Sequence, residues 1–148
     1  MDKHKEFAKR WFVHSKSLNG YMEFICHYIC LEILTKGNSK NFDTLVKSIN
    51  SSLQISILNN CRSQVEYFQN TVVYNEYSRG ERNTEKYADI LKNSNETHEN
   101  KLIALLKICK IIRGNIVHGH KSFEEQRDIN IANSGIIFFR SFFHFIFS

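Results

Sequence analysis

The sequence predicts an all-α fold, an up-and-down bundle of four long helices with one short extra helix. Three observations carry this. Proline is absent and glycine occurs only six times in 148 residues, too few turn formers for a many-stranded β protein. Apolar residues recur at spacings of three and four in four separate stretches. Short polar connectors separate those stretches, as antiparallel neighbours in a bundle require. With 42% apolar and 24% charged residues the composition is that of an ordinary globular chain. The length fits one domain over residues 1–148 that buries its own core.

The first stretch runs from Lys3 to Leu34. Phe7, Trp11, His14, Leu18, Tyr21, Ile25 and Tyr28 form one helical stripe, which Asn19-Gly20 kinks or breaks. From Tyr21 onward apolar residues surround the helix and leave Glu23 and His27 as one polar stripe, so this helix belongs at the centre of the fold. Gly37-Asn38-Ser39 is a stop signal, and residues 39–50 read as a polar connector with one short turn. A second helix is expected over Ser52–Tyr77, with Leu58, Cys61, Val65, Phe68 and Val72 as its stripe. Residues 78–100 are the most polar stretch, an exposed excursion with a short helix near Glu85–Lys92. The third long helix spans Glu99–His118 on Leu102, Leu105, Cys109, Ile112 and Ile116, and Gly119 stops it. Ser122-Phe-Glu-Glu125 is a capping box that starts a last helix near Phe123. Ile129, Ala132, Ile136, Phe139, Phe143 and Ile146 carry that helix to the C-terminus, with Asn133-Ser134-Gly135 weakening its middle.

Charge and cysteine content narrow the setting. The net charge is +5, which favours an anionic partner. No acid lies between Glu99 and Glu124, a stretch that holds Lys101, Lys107, Lys110, Arg113 and Lys121. The four cysteines, at 26, 30, 61 and 109, form no CxxC pair and read as buried thiols in a reducing compartment. Cys26-His27-x-x-Cys30 reads as packed thiols beside a surface histidine. The charged N-terminus, MDKHKEFAKRWF, has no signal-peptide pattern. The most apolar run, Ile136–Phe147, is 12 residues long, short of the roughly 20 that span a bilayer. A cytoplasmic protein with no membrane partner is expected.

The chemistry gathers at the end of the third helix. At 100° per residue, Lys107, Lys110, Arg113, Gly114 and His118 fall within an arc of about 140°. The small Gly114 leaves a notch between the arginine and the histidine. A guanidinium can grip non-bridging phosphate oxygens with two parallel bonds. An imidazole titrates near neutrality and can exchange a proton with a 2′-OH or a 5′ leaving oxygen. That pair fits RNA cleavage without a metal. With no acid in the motif region to hold Mg²⁺, which prefers oxygen ligands, the available nucleophile is the RNA's own 2′-OH.

Here the sequence resembles the HEPN family, the helical domains named for higher eukaryotes and prokaryotes nucleotide-binding. Their signature is R-x4–6-H, and this chain reads Arg113-Gly-Asn-Ile-Val-His118 at the close of an amphipathic helix. The following Gly119 and Arg127-Asp128 look like the Apea-type and related subgroups. The resemblance implies a HEPN-like bundle and a metal-independent endoribonuclease with no cofactor. It implies a homodimer that joins two motifs, and service in toxin–antitoxin pairs or anti-phage defence, with an antitoxin or defence-system protein as a further partner. Arg113 and His118 would be the catalytic pair. Gly114 and Asn115 would support them, and Lys107, Lys110, His120 and Lys121 would bind RNA. The residue after the arginine is commonly Asn, Asp or His in the family, whereas here it is Gly114, with Asn115 one place later. Non-catalytic HEPN modules that bind RNA, a nucleotide or a partner protein are the alternative, and a plain helical interaction protein is a further one.

Other signals are weaker. Gly114-x4-Gly119-His-Lys-Ser122 misses a P-loop by one residue and follows an amphipathic helix rather than a strand, so it is rejected. His118-x-His120 lacks a second ligand pair for zinc, and no metal site is expected. Glu32 lies on a mostly apolar face and either reaches solvent at the helix end or orients Arg113 from a neighbouring helix. Six of the twelve phenylalanines lie within Phe138–Phe147, with Arg140, Ser141, His144 and Ser148 as a narrow polar stripe. That helix is either central to the bundle or packs in part on a second subunit.

Overall fold

Two interruptions decide the topology, one in each of the first two expected helices. A computed structural model describes residues 2–76, 80–119 and 125–148. The described residues hold eight α-helices and no sheet, only one isolated antiparallel bridge between Tyr74 and Asn83. The fold is therefore all-helical, but several of its helices are shorter than the four-long-helix reading requires.

Asp2 caps α1 (Lys3–Ser15) by accepting from the His4 N–H at 3.0 Å, as a side-chain oxygen does at a helix start. The chain breaks after Ser15 and α2 (Gly20–Thr35) runs back beside α1. Two thiols record the antiparallel pairing: Cys26 Sγ donates to the Trp11 carbonyl at 3.3 Å and Cys30 Sγ to the Ala8 carbonyl at 3.2 Å. The break frees α1 from the single stripe that runs into Tyr28. The face it buries is Ala8, Phe12 and Ser15, while Phe7 is 52% exposed. Small residues at 8 and 15 let the two helices approach closely.

The connector at 39–50 is ordered into a 3₁₀ turn, Ser39–Asn41, and α3 (Phe42–Lys47). Phe42, Val46 and Ile49 are buried, which the polar average of the stretch conceals. The expected second helix divides at Cys61 (φ −115°, ψ 32°) into α4 (Ser51–Asn60) and α5 (Arg62–Asn70). Beyond Asn70 the chain is extended where β-branched residues cluster, at Thr71-Val72-Val73, which lose rotamer freedom in a helix; Tyr77 lies outside the described residues. The short helix α6 (Glu85–Lys92) has the expected bounds. It is no exposed excursion, because Tyr87, Ala88 and Leu91 pack it on α5 and α7.

The centre is α7 (His98–Val117), capped by Thr97 and followed by Gly119 at φ +74°. Leu102, Leu105, Cys109 and Ile112 are buried as their spacing predicts. The start near Phe123 and its capping box lie outside the described residues; α8 runs Gln126–Phe147. It passes through Asn133-Ser134-Gly135 unbroken. An added Cβ on Gly135 would meet Phe24 Cε2 at 2.6 Å, so the glycine is a close approach between α8 and α2. Phe138, Phe139, Phe142 and Phe143 are fully buried within the one chain and Phe147 nearly so. Five of the six phenylalanines of this stretch are thus covered within one chain, and Phe145 is partly buried. Ser141 leaves the supposed polar stripe too: it is buried, donates to the Ile57 carbonyl at 3.2 Å and accepts from Asn60 Nδ2 at 3.1 Å. At 22 residues α8 is long and apolar enough to cross a membrane by length and composition. A buried core helix has the same character.

The polar stripe of α2 also points inward. Glu23 and His27 are both buried. Arg140 Nε and Nη2 donate to the two Glu23 oxygens at 2.7 and 2.6 Å, and His27 Nε2 lies 2.9 Å from Oε2. The His27 ring sits among Phe12, Phe139 and Phe143 at centroid distances of 5.8–6.0 Å. The expected surface histidine is a core histidine, held there because the carboxylate beside it is neutralised by α8. All four cysteines are free and buried, as expected, and burial pushes the Cys61 thiol up to about 12.

Candidate functional site

A cleft of about 740 Å³ opens between the C-terminal end of α2, the turn that follows it, the start of α3 and the polar face of α7. All five α7 residues assigned to one arc from spacing line it: Lys107, Lys110, Arg113, Gly114 and His118. The helix remains regular up to its cap at His118, whose backbone N–H donates to the Gly114 carbonyl at 3.1 Å. A Cβ on Gly114 would meet nothing within 4 Å. The notch is open space on the cleft side rather than a helix–helix contact.

Arg113 is half-buried, with its guanidinium carbon 5.7 Å above the Tyr28 ring, a cation–π distance. Its Nη2 lies 3.8 Å from Glu32 Oε1. The Glu32 carboxylate thus lies beside Arg113 without a hydrogen bond to it and is 40% exposed to solvent. Lys110 Nζ donates to Ser39 Oγ at 2.9 Å. Lys107 Nζ lies 5.5 Å over the Phe42 ring. Burial, and next the neighbouring Lys110 charge, hold the Lys107 ammonium below its ordinary range.

Asn115 does not line the cleft. It lies about 100° round the helix from Gly114 and is fully buried. Its Oδ1 accepts from the Glu76 N–H at 3.0 Å and its Nδ2 donates to the Tyr74 carbonyl at 2.8 Å. Both ends of the amide tie the extended segment to α7 and hold Asn115 away from the cleft. His120 and Lys121 lie outside the described residues.

The cleft also contains acids that the sequence around the motif lacks. Glu81 lines it, pairs with Lys86 Nζ at 2.7 Å and accepts a short hydrogen bond from the Tyr87 hydroxyl. Burial raises the Glu81 carboxyl, and the hydrogen bonds from Lys86 and Tyr87 outweigh it, leaving the group below its ordinary value. Glu32 and Glu81 come from other parts of the chain, so the acid-free run from Glu99 to Glu124 does not make an acid-free site. Among the described residues no group of three or more His, Cys, Asp or Glu is placed to hold a metal ion. Sequence reading missed Phe42, Glu81 and Tyr87; the Phe42–Val46 and Tyr87–Leu91 pairs, each four apart, were the available signal.

The chain matches no protein-family model, no curated protein and no solved structure.

Proposed function

We propose that this chain is a HEPN-type, metal-independent endoribonuclease, a toxin or anti-phage defence enzyme whose Arg113 and His118 act on one phosphodiester. The observation that supports this is their convergence with Lys107 and Lys110 on one cleft. Such a surface attracts a nucleic-acid backbone, and in RNA the ribose 2′-OH supplies the nucleophile. Its oxygen attacks phosphorus, the bond to the 5′ oxygen breaks, and the products end in a 2′,3′-cyclic phosphate and a 5′-OH. Arg113 stabilises the charge that builds on the phosphorane oxygens.

A catalytically silent HEPN module is the second reading, and one observation favours it. With the Asn115 amide spent on Tyr74 and Glu76, no polar side chain between Arg113 and His118 reaches the cleft. Incubation of purified protein with mixed RNA, beside Arg113→Ala, separates the two. Fragments from wild type alone support the enzyme. Intact RNA retained by wild type on a filter and lost by Lys107→Ala/Lys110→Ala supports the silent module.

The reading includes a homodimer that brings two motifs together, with an antitoxin or defence protein as a further partner. The resemblance alone supports the dimer, since five of the six phenylalanines of α8 are buried within the chain. Light scattering at micromolar concentration should show twice the chain mass. A monomer that retains activity removes the claim.

A further inference from the structure

We infer that Glu32 is the general base of this cleft and His118 its general acid, so that one chain holds every group the cleavage needs. The inference rests on the ribonuclease reading above.

Two Glu–Arg pairs in the same protein make the contrast. In the Glu23–Arg140 pair both guanidinium donors engage both oxygens at 2.6–2.7 Å and the carboxylate is 3% exposed. That fork engages both carboxylate oxygens, although the Arg140 side chain is 58% exposed and the pair lines a cavity of its own. In the Glu32–Arg113 pair the distance is 3.8 Å and both side chains are about 40% exposed. This is beyond hydrogen-bond length and opens onto the cleft. The carboxylate lies beside the guanidinium without being locked to it. A phosphodiester seated on Arg113 brings its ribose next to an oxygen that can accept a proton.

The other candidates in the cleft are less suited. Glu81 has its oxygens engaged by Lys86 and Tyr87. His118 lies five residues beyond Arg113, about 7.5 Å along the helix axis, on the same cleft wall. A carboxylate at Arg113 and an imidazole further along α7 give the separated proton acceptor and donor that in-line displacement requires. The charged and titratable groups that line the cleft with Glu32 are Tyr28 on its own helix, Lys107, Lys110 and Arg113 on α7, His118 at its cap, and Glu81 and Tyr87 across the cleft. The 2′-OH proton passes to the Glu32 carboxylate as the O2′–P bond forms. The P–O5′ bond breaks, and the His118 imidazolium gives its proton to O5′. Proton exchange with water restores both groups.

The test pairs the pH–rate profile on RNA with a ribonucleoside 3′-(4-nitrophenyl) phosphate, whose leaving group departs without a proton. Glu32→Gln should lower kcat roughly 10²–10⁴-fold on both substrates and abolish the acidic limb of the profile, with KM little changed. Glu32→Asp should retain the limb. His118→Ala should lose a comparable factor on RNA and recover most of it on the aryl ester. A Glu32→Gln enzyme that keeps its acidic limb and shifts only KM makes Glu32 a holder of Arg113 and overturns the assignment. Recovery of Glu32→Gln rather than His118→Ala on the aryl ester reverses the roles and also overturns it. Wild-type protein inactive on both substrates refutes the ribonuclease reading itself, and the assignment with it.

Discussion

Gly135→Ala should destabilise the protein although alanine is the better helix former. In an exposed helix interior the change would add about 1 kcal/mol of stability. Here the new methyl would stand 2.6 Å from Phe24 Cε2 and 3.2 Å from Cδ2, with Ile112 Cδ1 at 3.7 Å. Carbon atoms rest about 3.5–4.0 Å apart, so the ring edge must yield by roughly 1 Å. It has little room, being fully buried with its ring 5.5 Å edge-on to Phe139. Overpacking of this kind costs about 1–3 kcal/mol, and a 2.6 Å contact with a fully buried ring belongs in the upper half of that range, about 2–3 kcal/mol, which outweighs the helix term and leaves a net loss of about 1–2 kcal/mol. For a chain of this size that lowers Tm by about 3–6 °C. Differential scanning calorimetry reads the shift directly. Phe24→Leu should make room, so the double variant should be more stable than the sum of the two single changes allows. A Gly135→Ala protein with unchanged or raised Tm would refute the close approach of α2 and α8.

Asn115→Ala should cost about 1–3 kcal/mol by stranding the Glu76 N–H and the Tyr74 carbonyl, seen as faster amide exchange at residues 74–76 and a lower urea midpoint. Stability should fall with acid. Burial holds His27 below its ordinary 6.5 against the pull of Glu23, so the unfolded chain binds the extra proton and stability present above that value is lost as pH drops below it. Burial raises the Glu23 carboxyl, but Arg140 and His27 together bring it below 4.5, so its contribution also disappears toward acid pH. Urea midpoints at pH 7.5, 6 and 5 should decrease in that order, and His27→Gln should flatten the upper part of the trend. Arg113→Ala should cost less than about 1 kcal/mol, since it removes a half-exposed stacking contact on Tyr28 and a 3.8 Å approach to Glu32. His118→Ala should leave the circular dichroism spectrum unchanged.

The cleft wall on α7 was legible because one helix carries all of it. Periodicity and the R-x4–6-H spacing converge on Lys107, Lys110, Arg113 and His118, and a regular helix delivers them to one face. The facing wall was not legible, because Glu32, Phe42 and Glu81 reach it through tertiary packing that no local pattern encodes. Glu23 and His27 show the same limit in the core. A polar stripe reads as solvated until its partner is known, and Arg140 is 117 residues away. The reverse happened at Asn115, where closeness to the motif suggested a role that its buried hydrogen bonds occupy otherwise. The interruptions at 16–19 and 61 were half legible: Asn19-Gly20 marks the first, whereas nothing in the composition around Cys61 marks the second. Gly135 looked like a weak point in a helix when it is a packing requirement between two.

The most direct measurement is end-group analysis of RNA incubated with the protein in EDTA. The expected fragments carry a 5′-OH on one side and a 2′,3′-cyclic phosphate or 3′-phosphate on the other. DNA, and RNA with 2′-O-methyl at the cut site, should stay intact, and Arg113→Ala and His118→Ala should yield no fragments. Fragments carrying 5′-phosphates, cleavage of DNA, or activity abolished by EDTA and restored by Mg²⁺ would contradict metal-independent attack by the 2′-OH.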